Sequence, residues 1–125
     1  MVVIDTNVII EHLRQHGSNS PLLKIDKDFP RERLTLSVVS IQELYEGKCT
    51  KIDEEVQYLM TTLAPLEILP YTFEVAQLAG EIARDLTSPI DLADAAIAAT
   101  AIINEGKLIT LNKKDFLGIK DLELL

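Results

Sequence analysis

The sequence predicts an α/β fold, an open parallel sheet with helices on both faces. Three observations carry that expectation. Short aliphatic runs recur along the chain: "VVI" at 2–4, "LTLS" at 34–37, "LEIL" at 66–69, "KLIT" at 107–110 and "LELL" at 122–125. Stretches with helical spacing of apolar residues lie between most of them. The first run is β-branched without a break, which suits a strand covered on both faces.

Each element follows in order. Residues 2–5 read as the first strand. A helix over 6–16 turns Val8, Ile9 and Leu13 inward, with Gly17 as its C-cap. "SNSPLLKIDKD" opens with a turn, and Pro21 takes the first position of a short helix. The strand at 34–37 leads into a helix over 38–47 that ends at Gly47. A helix over 52–64 is bounded by Pro65, and the strand at 66–69 is stopped by Pro70. Over 72–86, Val75, Leu78, Ala79, Ile82 and Leu86 share one helical face. The helix over 91–105 is apolar nearly all round, the mark of a buried helix, and Gly106 ends it. The last strands lie at 107–110 and 122–125.

At 125 residues, with 47% hydrophobic and 26% charged residues, one domain spanning 1–125 is expected. No apolar run reaches the ~18–20 residues of a membrane span, and no basic leader precedes the first strand. A cytoplasmic protein without membrane contact is expected. The single Cys49 forbids an internal disulfide and a cysteine-rich zinc site. A net charge of −8 opposes broad electrostatic wrapping of nucleic acid. It leaves open a nucleic-acid enzyme whose carboxylates are converted by divalent metal into a phosphate site.

Function in such sheets gathers at the carboxyl ends of the strands. Asp5 ends the first strand, and Glu43 lies on the helix after the second. Asp94 sits in the first turn of the buried helix, and Asp115 follows the fourth strand. All four can face one rim. Mg²⁺ and Mn²⁺ prefer such hard oxygen ligands, and can activate water and offset charge on a phosphodiester. Each acid also has a plainer reading. Asp5 is a natural N-cap, Glu43 can be solvated, and Asp115 can simply end a turn. Either Ser88-Pro89 or Asp91 opens this helix, and in the second case Asp91 is the N-cap and Asp94 the partner of a capping box; Asp91 is assigned to capping. Asp94 stands beside Ala95, Ala96, Ile97, Ala98 and Ala99, where a buried charge needs a partner. His12 and His16 have ligand spacing without a third nitrogen, and fit better at the fringe of an apolar face. Lys113 and Lys114 steer phosphate or are plain surface.

"VVIDTNVII", "SVVSIQELYEG", "DAAIAATA" and "LITLNKKDF", in this order, resemble the PIN-domain ribonucleases. The length is most similar to the VapC toxins of toxin–antitoxin pairs. The resemblance implies a five-stranded parallel sheet of order 3-2-1-4-5 between helices. It implies Asp5, Glu43, Asp94 and Asp115 as catalytic and metal-binding acids. Thr6, Ser40, Thr110 and Asn112 match supporting polar positions, and Asn112 and Asp115 can share or exchange the fourth place. It further implies Mg²⁺ or Mn²⁺, an RNA substrate, a homodimer, and a cognate antitoxin that blocks the site. The segment between Arg84 and Asp94 is short for this family, and Arg84 either balances the acids or is solvated.

Competing classes leave different marks. A housekeeping RNA-processing nuclease would share the same acids. A receiver-like signalling domain wants an Asp at the end of the third strand, where the chain reads "LEILPYT". A nucleotide-binding domain wants a glycine-rich turn after the first strand, and "DTNVII" has none.

Overall fold

Strand β1 (Val2–Ile4) lies inside a parallel sheet in the computed structural model, which describes residues 1–16 and 18–125. It pairs with β2 (Leu34–Ser37) on one side and with β4 (Lys107–Ile109) on the other. Strand β3 (Glu67–Leu69) adds beyond β2, so the order is β3-β2-β1-β4. This is the expected order for the first four strands.

The expected fifth strand is corrected. Among the described residues the sheet has four strands, and 122–125 meets β4 at one parallel bridge, Leu108 to Leu124. Leu108 N–H donates to the Glu123 carbonyl at 2.9 Å, and Leu125 N–H donates to the Leu108 carbonyl at 2.8 Å. Pairing is confined to that one residue, so the segment occupies the fifth place without the ladder of a strand.

Six helices flank the sheet among the described residues: α1 (Thr6–Arg14), α2 (Pro21–Asp28), α3 (Val38–Tyr45), α4 (Asp53–Leu63), α5 (Phe73–Asp85) and α6 (Leu92–Ile103). Their starts are chemically marked. Asp5, Ser20, Ser37 and Thr72 each accept a backbone N–H at a helix N-terminus. Their ends fall short of the sequence expectation by one or two residues. Helix α1 stops at Arg14, and His16 already has φ 48°. The expected cap at Gly17 lies outside the described residues. Helix α3 stops at Tyr45 and a 3-10 turn follows at Lys48–Lys51.

The pleat divides the core in two. Val2, Ile4 and Leu36 face α1, α2, α3 and α4, where Val8, Ile9, Leu22, Ile25, Leu44 and Leu59 are buried. Val3 and Leu108 face α5 and α6, with Val75, Ala79, Ile82 and the alanines of α6. Side chains alternate across the sheet, so adjacent valines serve opposite cores. Residues Ala95 to Ala101 of α6 are all buried. Their small side chains let this helix sit close to both the sheet and α5. No helix among the described residues is long and apolar enough to cross a membrane.

Candidate active site

Because β1 and β4 are parallel neighbours, their carboxyl ends deliver Asp5 and Thr110 side by side. Asp5 is 4% exposed. Its Oδ1 accepts the Thr6 N–H at 2.8 Å, which caps α1. Its Oδ2 accepts the Thr110 hydroxyl at 2.7 Å. Each oxygen keeps a further lone pair. Burial holds the Asp5 carboxyl above its usual range. The bonds from Thr110 and Thr6 act the other way, while the charges of Glu43 and Asp115 raise it again.

Glu43 reaches the same patch from α3. Thr6 Oγ1 lies 2.7 Å from Glu43 Oε1 and 2.7 Å from Ser40 Oγ. The hydroxyl has one proton. Both contacts are satisfied when that proton goes to Glu43 and the Ser40 hydroxyl donates to Thr6. Ser40 and Glu43 lie on neighbouring turns of α3, which brings both to the start of α1.

The loop after β4 supplies the fourth acid. Asn112 N–H donates to Thr110 Oγ1 at 3.0 Å, and Asn112 Nδ2 donates to Asp115 Oδ2 at 2.8 Å. Asn112 and Asp115, the two residues expected to share or exchange the fourth place, are thus joined to each other. Asp94, half-buried in the first turn of α6, is near enough to Asp5, Asp115 and Glu43 for their charges to act on it. Its carboxyl is pushed up to about 7, first by burial, then by the charges of Asp5, Asp115, Asp91 and Glu43.

The donor set is carboxylate, hydroxyl and amide oxygen, which suits a hard divalent cation such as Mg²⁺ or Mn²⁺. Among the described residues, no three His, Cys, Asp or Glu side chains are gathered closely enough to hold a metal ion by themselves. Mg²⁺ does not require such a group, since it keeps several waters and takes one or two carboxylates. Mutual repulsion among the acids would be relieved by a cation.

Residues 2–121 match the PIN domain family. The chain belongs to the PIN-domain family. It is 37% identical over 116 residues to Ribonuclease VapC10 of Mycobacterium tuberculosis, covering 90% of this chain and 83% of that protein. It is 30% identical over 132 residues to Ribonuclease VapC of Rickettsia bellii, covering 99% and 94%. The fold matches VapBC2 from Rickettsia felis, solved bound to a promoter DNA fragment, with TM-score 0.86, 24% identity and coverage of 100% and 98%. It also matches VapBC-1 from nontypeable Haemophilus influenzae, with TM-score 0.81, 25% identity and coverage of 100% and 97%.

Other candidates in this PIN domain separate cleanly. Asp91 is the backbone N-cap of α6, but its side chain makes no capping bond, so the expected capping box does not form. Its charge acts on Asp94 instead. One helical turn separates the two, a spacing visible in "DLAD". His12 is buried, with Nδ1 2.7 Å from Ser20 Oγ and Nε2 3.2 Å from Tyr58 Oη. Both ring nitrogens are occupied, which leaves none for a metal, and burial lowers its pKa. Arg84 is solvated and pairs with Asp85 at 2.7 Å. Lys113, Lys114 and Cys49 are exposed. A cavity of about 760 Å³ opens near the amino ends of β2 and β3, lined by His12, Leu22, Leu34, Tyr58, Leu66 and Glu67. It contains none of the four acids. Asn7, which motif reasoning left without a role, bonds to both Thr110 and Leu111.

Proposed function

We propose that this PIN domain is a divalent-metal-dependent endoribonuclease and the toxin of a VapBC-type pair. One observation carries the reading. Four acids from separate elements act on one another at the carboxyl rim of the sheet, and burial with their charges holds Asp94 protonated to about pH 7. The named ribonucleases among its relatives support RNA as substrate, and the VapBC structures of the same fold support an antitoxin partner. In this reading residues 1–125 act as one domain, in the cytoplasm, as a homodimer.

Asp5 and Asp94 would be the chief holders of Mg²⁺ or Mn²⁺, with Glu43 and Asp115 completing the set or orienting water. The cation supplies Lewis-acid activation of water and offsets charge developing on the phosphodiester. The chain's own groups prepare that site. Thr6 N–H and the Thr110 hydroxyl fix both oxygens of Asp5. The Thr6 hydroxyl fixes Glu43, and Asn112 fixes Asp115. Asp94 sheds its proton before it becomes a ligand.

The test is cleavage of single-stranded RNA by the purified protein with Mg²⁺ or Mn²⁺. Chelator and Asp94→Asn are each expected to abolish it. Cleavage by Asp94→Asn at the parent rate would remove Asp94 from the site. Sequencing the RNA ends defines the target class.

A further inference from the structure

The geometry points to Asn7 as a positioning residue that acts on the site through Thr110, aiming its hydroxyl at Asp5 and tying the loop of Asp115 to α1. The proposal deepens the metal-site reading above and rests on it for its effect on cation binding.

Thr110 Oγ1 has one proton and two lone pairs. Three neighbours use all of that capacity. Asn7 Nδ2 donates to it at 3.3 Å and Asn112 N–H donates at 3.0 Å. With both lone pairs engaged by donors, the hydroxyl proton has one direction left, toward Asp5 Oδ2 at 2.7 Å. The orientation of the Asn7 amide is itself fixed. Leu111 N–H can only donate, and it lies 3.3 Å from Asn7 Oδ1. The amide oxygen therefore faces Leu111, and the NH₂ faces Thr110.

The two bonds also span the chain. They join the second residue of α1 to the residues that follow β4, more than a hundred positions away. The same loop continues to Asn112, which holds Asp115. Asn7 thus couples the places of the first and fourth acids without being an acid. An alanine there leaves one Thr110 lone pair open and the Leu111 N–H without its partner. The hydroxyl can then rotate, and the loop loses its tie.

A double-mutant cycle tests this on the full chain. Mn²⁺ affinity is measured by calorimetry for the parent, Asn7→Ala, Thr110→Val and the double variant, with folding of each checked by circular dichroism. Asn7→Ala is expected to weaken Mn²⁺ binding by ~10-fold, the scale of groups that orient ligands. In the Thr110→Val background the same change is expected to matter by less than about 2-fold, because the path through the hydroxyl is gone. Parent-like Mn²⁺ affinity in Asn7→Ala overturns the proposal, as does a full effect retained without Thr110. A second readout needs no metal. Nuclear magnetic resonance of the metal-free protein follows exchange of the Thr110 hydroxyl proton with water. Slow exchange in the parent and fast exchange in Asn7→Ala support the role, and equal rates overturn it. If the parent itself binds no Mn²⁺, the metal reading fails, while hydroxyl exchange still decides the positioning claim.

Discussion

Asp94 keeps its proton to a pH near 7, against an ordinary value of 3.8, because burial and neighbouring acids disfavour its charge. The folded state therefore binds that proton more tightly than the unfolded state does. Its stabilising effect is complete below about pH 4 and is lost as pH rises through about 7. The melting temperature of the metal-free parent is expected to fall by a few degrees more than that of Asp94→Asn between about pH 5 and pH 8. Parallel curves for the two proteins would contradict the burial and crowding of Asp94. Cation binding through Asp94 would run the other way, strengthening over the same range as the carboxyl loses its proton. Asp5, Glu43, Asp94 and Asp115 stood out in the sequence as candidates because each acid interrupts or borders an apolar element. Asn7 and Asp91 were not, because their parts depend on which atoms the fold places opposite them. Asp91 looked like a cap by position, and its side chain makes no such bond.

Helix α6 shows how an element serves the site. Ala96, Ala98, Ala99 and Ala101 have no exposed surface. Ala98→Leu is expected to cost about 1–3 kcal/mol through overpacking, read from denaturant midpoints. Cleavage should fall with it if the wedge displaces Asp94. Thr72 tests an element away from the acids. Its hydroxyl accepts the Val75 N–H at 3.2 Å and opens α5. Thr72→Ala is expected to cost about 1 kcal/mol while cleavage stays at the parent rate. Element type and order were readable from periodicity and from Pro and Gly punctuation. The ends were less so, since the helices give way at Gln15 and Glu46, one or two positions before the glycines that mark their ends in the sequence. The fifth strand misread a single bridge as a ladder, because "LELL" has strand-like residues whatever its pairing.

At the scale of the whole molecule, parallel topology does the assembling. Residues as distant as Asp5 and Thr110 meet because β1 and β4 are adjacent and run the same way. The chain carries a charge of −8, so a polyanionic substrate has little to attract it until the acids are neutralised. A ligand that binds the folded state alone raises its stability by mass action. Millimolar Mn²⁺ is expected to raise the melting temperature of the parent at pH 8 and to leave that of Asp94→Asn nearly unchanged. Equal shifts in both would place the cation elsewhere. The central claim is that the acid patch is a metal-dependent RNA-cleaving site, and end-point cleavage of a single-stranded RNA tests it most directly. The parent with Mn²⁺ should cut, and both the chelated parent and Asp94→Asn with Mn²⁺ should leave the RNA intact. Undiminished cleavage in chelator, or by Asp94→Asn, would contradict it.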